Sequence, residues 1–243
     1  MTFMYSVVIP LKNEASNIVD LIHELEPVMY GLGQPWELIC IDDGSNDGTH
    51  QILKNLVLQK SYLRAIFFKK NYGQSSAFDA GFKAAKGQFV ITLDGDGQND
   101  PKDIPRLIEL IRDCDLVCGI RLKRKDSLTK RLTSKLANFV RSRLCEDGVQ
   151  DTGCSLKVYR KNCLQQIKMY HGMHRFLPAL FKMEGFRIQQ IPVNHRERLK
   201  GKSHYNFFNR SLNTIVDLLA VRWMKKRQLR YQINEGYSDG DDS

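Results

Sequence analysis

Asp94 and Asp96 stand one residue apart in "TLDGDGQNDP" (92–101), and Gln98 continues the alternation. Two carboxylates this close repel, so the pair is costly unless a cation lies between them or water surrounds both. Oxygen donors of this kind suit Mg²⁺ or Mn²⁺ shared with a diphosphate. A D-x-D triplet alone equally suits an ordinary turn, because Asp and Gly populate turns for backbone reasons. A second acidic pair, Asp42 and Asp43, closes "WELICIDD" ahead of "GSNDGT". Ser45, Asn46 and Asp47 can cap a following helix. Two acids directly at a strand end exceed what a turn needs, and such an acid can accept hydrogen bonds from a ribose or a base edge. Neither a Walker loop nor G-x-G-x-x-G follows the first strand, which removes the main support for kinase and dehydrogenase readings.

These residues need elements to position them. "SVVIPL" (6–11), "WELICIDD" (36–43), "RAIFFK" and "QFVITLD" read as strands. Between them, Ile18, Leu21, Ile22 and Leu25 take helical spacing, as do Ile52, Leu53 and Leu56, and "SSAFDAGFKAAKG" reads as a helix with a serine start and a stop at Gly87. Strand and helix in alternation imply a mostly parallel sheet covered on both faces. Ligands in such sheets sit beyond the carboxyl ends of the strands. Three such ends carry "PLKNE", "DDGSNDGT" and "DGDGQND", so these are expected to converge at one edge.

The chain has 243 residues, 42% of them apolar, enough for one large core. A formal net charge of +10 calls for an anionic partner: nucleic acid, a phosphorylated ligand or an anionic membrane surface. Six cysteines without a CxxC pair or zinc spacing suggest a reduced, cytosolic chain. No basic leader precedes "YSVVIPL". "TIVDLLAVRWM" is interrupted by Asp217 and Arg222 and falls short of the roughly 20 apolar residues a bilayer requires, so no crossing is expected.

Four stretches in order, "VVIPLKNE", "CIDDGSNDGT", "KNYGQSSAFDAGFKAAKGQFVITLDGDGQNDP" and "RLKGKSHY", resemble glycosyltransferase family 2. The likeness is to its dolichyl-phosphate mannose synthase and polyprenyl-phosphate glycosyltransferase branch. It implies an α/β A-type glycosyltransferase fold, a Rossmann-like mostly parallel sheet flanked by helices. It also implies an inverting, metal-dependent transfer from a nucleotide-diphosphate sugar to a polyprenyl phosphate of dolichyl or undecaprenyl type. By position, Pro10, Lys12 and Glu14 match nucleotide contacts and Asp42 the base or ribose contact. Asp94, Asp96 and Gln98 match the metal and diphosphate group, with Mg²⁺ or Mn²⁺ as the cofactor. Arg121, after "DLVCGI", matches a phosphate-binding arginine, and with it Lys130, Arg131 and Ser134 match the acceptor loop. Arg198, Lys202 and His204 match a segment closing over the donor phosphates, and Asp96, Arg121 and Arg198 carry the catalytic assignments. Lys12 stands where relatives often carry an aromatic, which leaves uridine and guanosine donors both open. His204 stands where many carry lysine, so its charge would depend on pH.

An acceptor phosphate is already ionised near neutral pH and needs no general base, whereas a hydroxyl acceptor would need one, for which Asp151 is the candidate. A transferase acting on a glycan or protein hydroxyl is therefore the alternative. A nucleic-acid-binding protein or nucleotidyltransferase is a further one, but the basic run 121–143 holds a single aromatic, Phe139, rather than aromatics interleaved with its basic residues, and no nucleic-acid partner is expected. The catalytic domain is expected over 1–205 and an amphipathic helix over 206–233, with an acidic, disordered tail at 234–243. Phe208, Leu212, Ile215, Val216, Leu219 and Trp223 make one stripe of that helix, suited to a core or to a membrane interface. The expected location is cytoplasmic, peripheral on the inner membrane face, with a membrane-protein partner for the product.

Overall fold

The computed structural model describes residues 3–121, 148–197, 207–229 and 231. Every residue of β1 (Tyr5–Leu11) and of β2 (Trp36–Asp42) is buried. Continuous burial without polar alternation is what a strand covered on both faces requires. β3 (Leu63–Phe67) and β4 (Phe89–Thr92) complete the first half, with α1 (Ile18–Gly31), α2 (Thr49–Gln59) and α3 (Gln74–Ala84) as crossovers. The second half holds α4 (Ile104–Leu110), β5 (Leu116–Arg121), β6 (Lys157–Arg160), α5 (Lys161–Leu164), α6 (Leu177–Met183), β7 (Ile188–Val193) and α7 (Phe207–Arg227).

The sheet order is β3-β2-β1-β4-β6-β5-β7. β1 pairs in parallel with both β2 and β4, and β6 alone runs antiparallel to its neighbours, β4 and β5. The chain therefore winds outward from β1 to β3, then returns to the other side of β1 as β4. That reversal places the crevice beyond the carboxyl ends of β1 and β4. Alternate strand residues serve two cores: Val7 and Ile9 pack with α1, α2 and α4, while Val8 and Val90 pack with α3 and α6. The expected α/β sheet with helices on both faces is present.

Local details differ from the sequence reading. α2 begins at Thr49 behind Gly48, whose φ of 101° favours glycine. Ser45 does not cap it, because its Oγ accepts the N–H of Asn13 instead (2.8 Å), and Asp47 Oδ1 takes the Thr49 N–H (3.0 Å). α3 starts at Gln74 and ends at Ala84, so Gly87 does not stop it. Gly87 instead donates its N–H to Ser6 Oγ at 2.8 Å, where a Cβ would lie 2.6 Å from the Ser6 nitrogen. The five described cysteines, Cys40, Cys114, Cys118, Cys154 and Cys163, are buried and form no disulfide with one another.

In α7, Leu218 and Val221 are buried against Met173, Phe176 and Leu180. Of the stripe expected for core or membrane, Ile215, Val216, Leu219 and Trp223 point outward and are 55–64% exposed, whereas the side chains of Phe208 and Leu212 lie outside the described residues. Among the described residues, no helix is long and apolar enough to cross a membrane.

Candidate active site

The loops after β1 and β2 are laced together. Asn13, at φ 57°, accepts the N–H of Asn46 through its Oδ1 (2.9 Å). Glu14 donates its N–H to Thr49 Oγ1 (2.9 Å), and Ala15 its N–H to Asp47 Oδ2 (3.0 Å). The Lys12 ammonium donates to the Gly44 carbonyl, and Glu14 Oε2 accepts from the Asn17 amide at 2.6 Å. Asp42 is buried, takes the Ser45 N–H on Oδ1 (2.9 Å) and faces His50 Nδ1 at 3.4 Å. Asp43 has a different job. Its carboxylate accepts the N–H groups of Tyr72 (2.6 Å) and Gly73 (2.9 Å), tying the loop ahead of α3 to the end of β2. Burial pushes the Asp43 carboxyl up, against these bonds.

Gly95 brings the carboxylate pair to this edge. A Cβ there would collide with Leu11 Cδ2 and come within 3.3 Å of the Pro10 carbonyl, so glycine lets this loop lie on the end of β1 without moving Leu11. Asp94 Oδ1 accepts from the Gln74 amide at 2.8 Å. The Asp94 N–H donates to Asn99 Oδ1 (3.2 Å), which also accepts from Ser155 Oγ (2.7 Å). Asp96 is oriented by the Gln98 N–H, 3.1 Å from its Oδ1. Gln98 is clamped to the segment after β7: its Nε2 donates to the Arg196 carbonyl (3.2 Å), and Arg196 returns its N–H to the Gln98 carbonyl (2.8 Å).

Burial, and after it the charge of Asp96, pushes the Asp94 carboxyl above its ordinary range, while Ser155, Lys157 and Arg121 pull it down. A buried carboxyl beside a second carboxylate marks a place short of positive charge. A divalent cation fits that need, and two carboxylates with an amide oxygen are hard donors of the right kind. Among the described residues no set of three His, Cys, Asp or Glu side chains assembles, so a cation here would take further oxygen donors besides Asp94 and Asp96.

Arg121, at the end of β5, grips Asp151 in a fork, Nε to Oδ2 at 2.7 Å and Nη2 to Oδ1 at 2.8 Å, and its N–H adds a third contact at 3.2 Å. Both side chains are largely buried. Burial disfavours the guanidinium charge and Asp151 more than restores it, with a smaller contribution from Asp94.

Pro10, Lys12, Glu14, Asp42, Asp94, Asp96, Gln98 and Arg121 thus lie on the strand ends and loops of one sheet edge. Lys130, Arg131, Ser134, Arg198, Lys202 and His204 lie outside the described residues. Sequence reasoning missed Gln74, Asn99 and Ser155 around Asp94. The available signal was a polar residue directly after Gly73 at a helix start, facing the same edge.

A family model described as "Glycosyl transferase family 2" matches residues 6–168. Dodecaprenyl-phosphate galacturonate synthase from Rhizobium johnstonii is 36% identical over 241 residues, covering 97% of this chain and 70% of the relative. Undecaprenyl-phosphate 4-deoxy-4-formamido-L-arabinose transferase from Pectobacterium atrosepticum is 38% identical over 217 residues, covering 88% of this chain and 66% of the relative. The chain thus spans about two thirds of the length of such relatives. In fold it is similar to glucosyl-3-phosphoglycerate synthase from Mycobacterium tuberculosis, solved with Mn²⁺ and UDP-Glc (TM-score 0.68, 19% identity, 91% of this chain and 79% of that one). It is likewise similar to a mannosyltransferase from Pyrobaculum calidifontis, solved with GDP-Man and Mn²⁺ (TM-score 0.66, 17% identity, 90% of this chain and 64% of that one). With the family model covering most of the chain and the A-type sheet beneath the paired carboxylates, this chain belongs to glycosyltransferase family 2.

Proposed function

We propose that the protein transfers a sugar from a nucleotide-diphosphate sugar to a polyprenyl phosphate, with inversion and with a divalent ion held by Asp94, Asp96 and Gln98. The observation that carries the reading is the Asp94–Asp96 pair, whose inner carboxyl is raised by burial and by its neighbour at the ligand edge of the sheet. A bound divalent ion supplies charge that stabilises the departing diphosphate. The remaining work falls to the chain. In this reading Asp42 would take the base or ribose, and Asp94 and Asp96 would hold the cation. One acceptor phosphate oxygen forms a bond to the anomeric carbon as the bond to the diphosphate oxygen breaks, and the electron pair leaves with the diphosphate.

The choice of acceptor has support from Asp151. A general base for a hydroxyl must be within reach of the proton it takes. Both Asp151 oxygens are instead engaged by Arg121. An ionised phosphate needs no such base, and the two relatives described above are named for dodecaprenyl and undecaprenyl phosphates. The outward stripe of α7 and its last-turn Lys225, Lys226 and Arg227 suit a peripheral position on an anionic membrane face, where a lipid acceptor would be met.

Labelled UDP- and GDP-sugars incubated with and without polyprenyl phosphate, in Mg²⁺, Mn²⁺ or EDTA, test this. Label is expected in the lipid fraction only with metal, and Asp96→Ala is expected to abolish it without lowering the metal-free melting temperature. Lipid-independent transfer, or full activity in EDTA, would overturn the reading.

A further inference from the structure

Gln74 opens α3 with its side-chain amide on Asp94 Oδ1, 2.8 Å away, and its backbone is clamped from two sides. On one side the Asp43 carboxylate holds the N–H groups of Tyr72 and Gly73. On the other, buried Ser75 places its Oγ 2.6 Å from His174 Nδ1. His174 belongs to the short turn Met173–Arg175, whose Met173 joins Phe176, Leu218 and Val221 in one apolar cluster. Gly172, at φ 80°, lets the Asp217 carboxylate of α7 approach where a Cβ would collide. One packed path therefore runs from α7 through the 172–175 turn and the start of α3 to Asp94.

A carboxylate's terminal torsion is soft, so the direction of its oxygens is set by what they bond to. Near a second carboxylate, repulsion would otherwise turn Asp94 away from any shared cation. We infer that Gln74 is a positioning residue that fixes the Asp94 carboxylate for the divalent ion, and that the Ser75–His174 contact holds Gln74 in place. Groups that orient metal ligands from behind typically change metal affinity by 10- to 100-fold when removed.

This inference rests on the metal reading above. Mn²⁺ titration of the full chain, followed by electron paramagnetic resonance with UDP and with GDP in turn, separates the two. Wild type is expected to bind Mn²⁺ saturably with one nucleotide, and Gln74→Ala to bind about tenfold more weakly. Its metal-free nucleotide affinity should be unchanged. Should Gln74→Ala fail to fold, Gln74→Met keeps the length without the donor. Ser75→Ala and His174→Leu should each weaken Mn²⁺ binding, and the double variant no more than the worse single, because they break one contact. Undiminished Mn²⁺ affinity in the Gln74 variants, with wild type binding, would overturn the inference and leave the metal reading standing. Absence of Mn²⁺ binding by wild type with either nucleotide would remove both.

Discussion

Arg121 and Asp151 illustrate how a side chain's partner decides its chemistry. In the fork, both Asp151 oxygens accept from the guanidinium, and Arg121 gains a fixed direction at the end of β5. Asp151→Asn should leave a largely buried guanidinium under-compensated and cost about 3 kcal/mol, which for a chain of this size lowers Tm by roughly 6–12 °C. A phosphate acceptor makes a second demand: the acid limb of the pH–rate profile should persist in Asp151→Asn, whereas loss of that limb would make Asp151 the base after all. Gly95 is constrained by packing instead. Gly95→Ala must push on Leu11, itself in the core, so a loss of about 1–3 kcal/mol is expected in denaturant melts. A neutral result would mean that the loop does not lie on β1.

At the scale of elements, the β1–α1 and β2–α2 connections behave as one unit because Asp47 bonds to both. Burial pushes its carboxyl up, but the Thr49 hydroxyl and the N–H groups of Ala15 and Thr49 outweigh that and hold it below the ordinary carboxylate range. A carboxyl depressed in the folded state binds fewer protons than in the unfolded chain. Its contribution is therefore present above the unfolded pKa and lost as pH falls through the folded one. Asp47 is exposed, so the contribution is screened and modest. Denaturant melts of wild type and Asp47→Asn should differ at pH 7 and converge as pH drops below the carboxylate range. A gap that widens in acid would contradict this assignment. Asn13, Glu14 and Asp42 belong to the same laced unit, so loosening it should also weaken nucleotide binding.

For the whole molecule, α7 carries an apolar face on each side. Leu218 and Val221 bind it to the α6 region, and Ile215, Val216, Leu219 and Trp223 face outward beside Lys225, Lys226 and Arg227. Sedimentation with vesicles containing anionic lipid should recover the protein at low salt. Recovery should fall as salt rises and fall further in Leu219→Ala/Trp223→Ala, with each nearby basic residue worth about 1 kcal/mol at the surface. Equal recovery with neutral vesicles, or none with anionic ones, would assign the stripe to another partner. How much of this was legible in the sequence depends on distance along the chain. Periods of 2 and 3.6 are local properties, so the alternation of strands and helices, and with it the one sheet edge that carries Asp42, Asp94 and Asp96, followed from residue order alone. The same local patterns led astray at Ser45 and Gly87, whose partners Asn13 and Ser6 lie more than a helix away. Only tertiary structure decided that Asp43 anchors a loop, that Gln74 meets Asp94, that Arg121 closes on Asp151, and which stripe of α7 is buried. Each depends on where two distant segments come to rest against the sheet, and the hydrophobic period that builds the segments carries no information about which polar side chains will then face each other.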